Sequence, residues 1–595
     1  MTKELIEIFT GFKRSLELMD KNEKRNLTVA TLLMTITGIL TNLPAVILGK
    51  FVDQIVNIKQ FSFLVAVPFI MVILVIVISR EIITVIRKYL VENVATQTEK
   101  KQTVAVIDRL LKTDITSFIQ QQQIGSLHGR LFRSIQGLVR VIKLGFLDFF
   151  PAFFSAVAAT TIAFYQKPAL ATIMILVIPV GLFIVIKQIS SQKGIRVTLL
   201  RGKEHIDGTV VEMLSGIETV RTLNTSDFEI KKIEKIAEEL RKKEIKHHIA
   251  MALFDAAKYL NEGVFYIFVI GLAVFFSASG AITKGDILVY SILFISITTP
   301  LREIHRILDE AHESSIKVND LYGLLHQPLD RSFTHVKRNK KNPSENPVID
   351  IRSITFSYPT KPDIPILNNV TFKINAGEKI GLAGASGCGK STFVKILLRL
   401  VHGYQGEIYL FGRNLKLINR EEIAQKIMYI PQQPYVFSGT VEENILYGLT
   451  NKTVSKDAII DASKKALIFD EITNFLGGFE GRVSEGGKNL SGGQKQRLVL
   501  ARLILQSPEI LIFDEATSAL DNKNEILIQK NIEHLFKDKT IITIAHRLTT
   551  LVQNDRIFVF EKGKVIQKGN FHQLANTEGT FRNFLQHEEY KNKPN

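Results

Sequence analysis

The 595-residue sequence predicts a multidomain membrane protein: a six-helix transmembrane domain with long cytoplasmic helical extensions, followed by an α/β P-loop domain. Two observations carry that expectation. Six charge-free runs lie between residues 26 and 301, most of them close to the roughly 20 residues that a helix needs to cross the hydrocarbon core of a bilayer. Beyond residue 347 the texture changes to short β-rich apolar runs alternating with helix-like stretches, the pattern of an α/β domain. With 46% hydrophobic and 22% charged residues, the chain is neither apolar throughout nor largely disordered.

Residues 1–25 read as an interfacial elbow helix. Leu5, Ile8, Phe9, Phe12, Leu16 and Met19 recur every three or four residues with Lys13, Arg14 and Glu17 between them, as in a helix lying along a membrane surface. No cleaved signal is expected, because the apolar run after Lys21, Glu23, Lys24 and Arg25 is too long for a signal's core.

Residues 26–330 read as the transmembrane domain. Asn26–Gly49, Gln60–Ser79, Pro168–Ile186 and Gly263–Thr283 are charge-free; Phe149–Gln166 borders Asp148, and Ile287–Leu301 is short before Arg302. Spans are therefore expected at about 26–49, 60–79, 144–166, 168–187, 260–283 and 286–306. Lys50, Lys59, Lys167 and Lys284 are the only basic residues of the connections on one side. On the other side, Arg80–Lys143 carries eleven Lys/Arg and Lys187–Lys258 fourteen, which assigns those stretches and both termini to the cytoplasm. Both stretches are longer than the connections typical of helix bundles, yet they keep helical periodicity. Ile230–Lys246, with its alternating Lys, Glu and Arg, is a solvated helix face, so the spanning helices continue into the cytoplasm.

The net charge of +17 is distributed as +12 over residues 1–342 and +5 over 343–595. The excess follows the apolar half, which fits loop charge on a membrane protein and argues against a nucleic-acid partner. A single cysteine, Cys388, excludes an intrachain disulfide and any Cys-rich zinc or iron–sulfur site.

Arg331–Pro347 is polar, basic and proline-bearing, and reads as a linker before a domain at 348–588 and a tail at 589–595. Within that domain Gly384-Ala385-Ser386-Gly387-Cys388-Gly389-Lys390-Ser391 matches G-x-x-x-x-G-K-[ST]. It follows a strand-like run, Lys379–Ala383, and opens a helix-like one, Lys390–Val401. Glycines there let backbone N–H groups close on phosphate oxygens at the positive end of a helix; Lys390 adds charge for the β- and γ-phosphates and Ser391 a hydroxyl for Mg²⁺. Cys388 reads as a small residue tolerated in this tight loop. About 120 residues on, Ile510-Leu-Ile-Phe513 runs into Asp514 and Glu515, placing one carboxylate to hold Mg²⁺ and a second to polarise an attacking water.

Between the two lies Leu490-Ser491-Gly492-Gly493-Gln494, which resembles the signature of the ATP-binding-cassette proteins. Other landmarks follow in that family's order. Tyr358 resembles the aromatic that stacks on adenine, Gln432 in Ile430-Pro-Gln-Gln-Pro434 the Q-loop glutamine, Ser518-Ala-Leu-Asp521 the D-loop and His546 the switch histidine. Glu485 resembles the X-loop acid, although Gly486-Gly487 departs from the commoner Glu-Arg-Gly. Glu212 with Gly216–Arg221, and Phe118 with Gly125, resemble the cytoplasmic loop regions. The resemblance covers nearly the whole chain and is to exporter-type half-transporters with fused membrane and nucleotide-binding domains, such as lipid flippases and multidrug pumps.

The resemblance implies an antiparallel β-subdomain and a helical subdomain within the ATPase domain. It also implies ATP and Mg²⁺ as cofactors, a site of Tyr358, Gly384 to Thr392, Asp514 and Gln432, and Glu515, His546 and Lys390 as hydrolytic residues. Ser491, Gly492, Gly493, Gln494 and Asp521 would act across the interface of a dimer. A homodimer is the simplest partner scheme, with a second half-transporter as the alternative. The implied activity is ATP-driven export or outward flipping of an amphipathic drug, lipid or peptide across a plasma membrane, bacterial by its layout; an importer on the same fold or an ATP-gated channel are the alternatives. Arg302 and Arg306, one turn apart, are expected to face an inward cavity and favour anionic or amphipathic cargo.

Overall fold

The apolar runs fold as helices that continue well past them. The computed structural model of the chain describes residues 3–57, 63–114, 124–191, 194–333, 347–449, 453–474, 477–514, 522–545 and 548–591. Among them six helices are long and apolar enough to cross a membrane, as expected of a multi-pass membrane protein. The helices run α1 (Lys3–Glu17), α2 (Lys21–Asn57), α3 (Phe63–Leu111), α4 (Ile124–Lys143), a π turn (Leu144–Phe149), α5 (Phe150–Gln166), α6 (Pro168–Ile175), α7 (Val177–Ser191), α8 (Ile195–Ser215), α9 (Ile217–Thr222), α10 (Ser226–Ala278) and α11 (Lys284–Leu325). The 53 residues of α10 amount to about 80 Å at 1.5 Å per residue, against a hydrocarbon core of about 30 Å. Its polar half is laced by pairs on one face, Glu238 with Arg241 at 2.6 Å and with Lys242 at 3.9 Å.

The chain divides into two units, Met1–Leu110 with Gly125–Gln327 and Leu111–Ile124 with Pro328–Asn595. In the first, helices approach closely where side chains are small, the usual route to helix association in lipid. A Cβ added at Gly38 of α2 would lie 2.8 Å from the Phe154 carbonyl carbon of α5, and one turn on the buried Asn42 Nδ2 donates to Ser155 O at 2.9 Å. At the start of α11 a capping box joins Thr283 and Asp286, and Gly285 N donates to Asp53 Oδ1 of α2 at 2.7 Å.

Two features differ from the sequence reading. The apolar stripe of α1 packs on α11 and the π turn: Gly11 abuts Ser315, Arg14 donates to Asn319 at 2.6 Å and sits over the Tyr322 ring, and Phe12 stacks on Phe146. Among the described side chains of α1, the apolar ones left well exposed are Ile6 and Phe9. The third crossing, expected at 144–166, is the end of a longer element that starts with α4 and passes through the π turn. There the buried Arg87 of α3 donates to Phe146 O at 3.1 Å, giving that carbonyl a partner outside its own helix.

Among its described residues the second unit holds twelve strands: β1 (Ile349–Phe356), β2 (Leu367–Ile374), β3 (Lys379–Ala383), β4 (Gln405–Leu410), β5 (Arg413–Asn414), β6 (Ile427–Ile430), β7 (Gly439–Thr440), β8 (Arg482–Val483), β9 (Ile510–Asp514), β10 (Thr540–Ile544), β11 (Arg556–Glu561) and β12 (Lys564–Gly569). A six-stranded sheet has the order β12-β11-β3-β10-β9-β6, parallel from β11 to β6; an antiparallel sheet β2-β1-β4-β5 packs against it, and helices from Val441 to Gln506 with the β7-β8 pair form a helical subdomain. The central strands are largely apolar because both faces are covered: Ile380, Leu382, Ile512 and Ile542 are fully buried. Of the expected linker, Arg331–Phe333 make a short 3₁₀ turn and 334–346 lie outside the described residues, as do 60–62 of the second span, Phe118 and the last four residues of the tail.

The α2–α5 approach leaves no room for a methyl group at Gly38, whereas a Cβ at Gly271 of α10 would have no atom within 4 Å. Gly38→Ala is expected to cost about 1–3 kcal/mol through overpacking and to lower the thermal midpoint of the detergent-solubilised protein. Gly271→Ala, the control, should leave that midpoint unchanged.

Candidate nucleotide site

The site is built on one edge of the parallel sheet. Leu382, Ile544 and Asp514 form a row across β3, β10 and β9, and Ile430 of β6 pairs with Phe513, so four segments leave the sheet side by side at its carboxyl edge. The segment after β3 is the glycine loop. Gly384, Gly387 and Gly389 all have positive φ, at 142°, 79° and 111°. At Gly384 and Gly389 a Cβ would strike the carbonyls of Phe560 and Ile366, at 2.3 and 2.7 Å, so only glycine fits. The loop caps the helix Lys390–Leu397 without any side-chain cap, leaving backbone amides as its anion-facing groups. Buried Lys390 donates from Nζ to Gly384 O at 2.6 Å and Ala385 O at 3.1 Å, which holds the ammonium at the loop's centre. Cys388 is buried in the core beneath, while Ala385, Ser386, Gly387 and Ser391 are exposed. Tyr358 packs edge-on against Phe356, and its hydroxyl lies 3.3 Å from Thr392 Oγ1, which fixes its ring beside the first turn of the P-loop helix.

Asp514 ends β9, half-exposed, and accepts a hydrogen bond from Tyr429 Oη of β6 at 2.9 Å. Burial, the Asp514 charge and this bond all push the Tyr429 hydroxyl well above its usual range, so it stays a donor. Gln432 is exposed just after β6. No group of three or more His, Cys, Asp or Glu among the described residues could hold a metal by itself. The donor set present, one carboxylate and one hydroxyl beside a phosphate-binding loop, is what Mg²⁺ takes when substrate phosphates complete its shell. Glu515, Asp521 and His546 lie outside the described residues.

Ser491, Gly492, Gly493 and Gln494 open the helix Gly492–Gln506. Ser491 Oγ accepts from Gln494 N at 3.1 Å and Gln494 Oε1 accepts from Ser491 N at 2.8 Å, a complete capping box with Ser491 and Gly492 exposed. The Gly486-Gly487 departure has a local cause: both glycines have positive φ, and a Cβ at Gly487 would lie 2.3 Å from Val436 Cγ2. Tyr429 was not singled out in the sequence; a tyrosine three residues before the Q-loop glutamine was the available signal.

Residues 367–518 match the ABC transporter family, and residues 27–301 the ABC transporter transmembrane region. The chain is an ABC transporter. It is of the exporter type, with fused transmembrane and ATP-hydrolysing domains. It is 28% identical over 508 residues to a putative export ATP-binding/permease protein of Rickettsia bellii, covering 85% of this chain and 87% of that one. It is 28% identical over 543 residues to the ATP-dependent lipid A-core flippase of Pseudoalteromonas translucida, covering 90% and 91%. It is 32% identical to a mitochondrial iron-sulfur clusters transporter of Neurospora crassa over 62% of this chain and 52% of that one. A solved structure of a bacterial Atm1-family ABC exporter with ATP bound has the same fold, with a TM-score of 0.84 at 23% identity over 96% of this chain and 99% of that one.

In this transporter the Tyr429 hydroxyl orients the Asp514 carboxylate. Tyr429→Phe is expected to raise the Mg²⁺ concentration for half-maximal ATP hydrolysis by about 3–10-fold, equivalent to one net hydrogen bond of about 1 kcal/mol. Binding of ATP in EDTA should be unchanged, which a fluorescent ATP analogue measures directly.

Proposed function

We propose that two copies of this chain form a dimer that exports or flips an amphipathic cargo, sandwiching two ATP molecules between the P-loop of one copy and the signature of the other. The observation that carries this reading is that one chain holds both a built phosphate loop after β3 and an exposed capped helix N-terminus at Ser491 and Gly492. A positive helix end with exposed amides gains most against an anion bound elsewhere. A second copy supplies that anion with the fewest assumptions; a different half-transporter is the other partner that fits.

For the chemistry, the loop amides and Lys390 hold the β- and γ-phosphates, Tyr358 stacks on the base, and Thr392 lies at the same turn. Ser391 and Asp514 would hold Mg²⁺, with Gln432 beside them; the ion would neutralise charge on the transferred phosphoryl group. Glu515 orients or deprotonates the attacking water, and His546 and the partner copy's signature stabilise the charge that develops. The basic excess on alternate loops supports cytoplasmic ATPase domains and termini in a bacterial inner membrane.

The relatives' names span lipid and iron–sulfur cargo, so the cargo is argued from the helices. Arg302 Nε pairs with the buried Glu262 at 2.6 Å. Arg306 is held by Glu303 at 2.8 Å, Glu310 at 3.0 Å and Asp148 at 3.6 Å. Both arginines thus have carboxylate partners within the chain, so an anionic or amphipathic cargo would meet them through those pairs.

Glu515→Gln should bind ATP as the parent does and lose about 100-fold or more in turnover, the usual weight of a general base; a near-parental steady-state rate would remove Glu515 from that role. Inside-out vesicles should accumulate the cargo when ATP is added, and ATPase activity in nanodiscs should rise with one class of lipids, hydrophobic drugs or short peptides. Unchanged cargo-stimulated ATPase in Arg302→Ala/Arg306→Ala would remove both arginines from cargo selection.

A further inference from the structure

The segments leaving α3 and α11 meet inside the ATPase unit. Thr113, two residues past α3, forms an antiparallel bridge with Leu329, four residues past α11, and Asp330 N donates to Lys112 O at 2.8 Å. Just above, Arg109 Nε donates to Gln327 O at 2.6 Å. Two membrane helices distant in sequence are thus stapled at their ends.

The side chain at the centre of this staple, Asp330, is 2% exposed and turned into the ATPase domain. Its Oδ1 accepts from Ser332 N at 2.7 Å and lies 2.8 Å from His402 Nε2; its Oδ2 lies 3.8 Å from Arg420 Nη2. Arg420 in turn donates to Leu398 O at 2.5 Å and Arg399 O at 2.7 Å, the two carbonyls immediately after the P-loop helix Lys390–Leu397. Arg420 therefore caps that helix at its negative end while facing Asp330. Burial works against the charged form of Asp330, yet His402 and Ser332 outweigh it and hold the carboxyl down at about 2. A buried carboxylate kept ionised by partners from two segments is costly to disturb, so the contact behaves as a rigid joint.

We propose that Asp330 is a positioning residue for transport: it fastens the segments leaving α3 and α11 to the C-terminal end of the P-loop helix, so that movement of the phosphate loop on binding ATP is passed to those two membrane helices. The contact is distinct from the nucleotide site, since none of Asp330, His402 and Arg420 borders the phosphate loop in sequence. The proposal rests on the reading of the chain as an ATP-driven transporter.

The sequence has no tryptophan, so Tyr165→Trp, at the exposed end of α5, gives a sole fluorescent reporter outside the ATPase unit. The full chain in nanodiscs would be compared with and without Asp330→Asn and, as a milder second variant, His402→Gln. The parent is expected to change emission on adding ATP with vanadate. In Asp330→Asn that change should fall at least about threefold, while the dissociation constant for a fluorescent ATP analogue and the basal hydrolysis rate stay within about twofold; His402→Gln should shift the same readings in the same direction by less. An undiminished emission change in both variants overturns the proposal, and so does loss of hydrolysis in proportion to the emission change, which would mark a merely structural role. A parent that hydrolyses ATP without any emission change overturns the coupling route while leaving the ATPase reading standing; a parent that neither binds nor hydrolyses ATP overturns both.

Discussion

Leu382, Ile544 and Asp514 occupy one row across three parallel strands, and the chemistry of the ATPase domain depends on that register. Backbone hydrogen bonds between β3, β10 and β9 leave no freedom to slide, because a one-residue slip would turn every buried isoleucine toward the opposite face. The glycine loop, the carboxylate of Asp514 and the segment after Ile544 are therefore delivered to one edge by the core packing of the sheet. The core does the positioning and the loops carry the reactive groups. That division explains why the buried stretches of the strands are apolar while the site residues lie at a strand end, shortly past one, or at a helix start.

The legible part of the sequence was the part governed by local rules. Hydrocarbon tolerates only helices whose backbone bonds are satisfied internally, so charge-free runs such as Asn26–Gly49 and Gly263–Thr283 announce themselves. The phosphate loop is equally local, since its positive-φ glycines and its lysine act within nine residues of chain. What could not be read depends on residues far apart in sequence. Phe12 against Phe146, Arg87 on the Phe146 carbonyl, Tyr429 on Asp514 and Asp330 on His402 are contacts across 59 to 134 residues, and no periodicity encodes them. The amphipathic stripe of α1 shows the limit well. Its period correctly signals a face to be buried, but burial against α11 and burial in a membrane surface leave the same pattern.

Charge at the membrane boundary follows the same logic of distant compensation. Arg302 and Arg306 stand one turn apart on α11, and read alone they describe a cationic patch. Glu262, on α10, is buried and meets Arg302; Asp148, in the π turn, approaches Arg306. The buried Glu262 carboxylate would be costly without a partner, and Arg302 supplies one while staying partly exposed itself. The consequence for transport is that electrostatic selection of cargo, if it operates here, has to work through opening these pairs.

Folding and function compete less at the two half-sites than their crowded hydrogen bonding suggests. Ser491 caps its helix by accepting from the Gln494 amide, which uses a lone pair and leaves the hydroxyl proton to be donated. A phosphate oxygen needs that proton, not the lone pair, so the cap can persist while the signature grips an anion. Lys390 makes the complementary arrangement. Two of its protons are held by the Gly384 and Ala385 carbonyls, and the remaining contact is with Cys388 Sγ at 3.6 Å, a weak acceptor. A charged phosphate oxygen is a far stronger acceptor than a thiol sulfur, so it gains the third proton without unmaking the two bonds that shape the loop. Each group is thus committed through one part of its bonding capacity to holding the fold, and keeps the other part available to an anion.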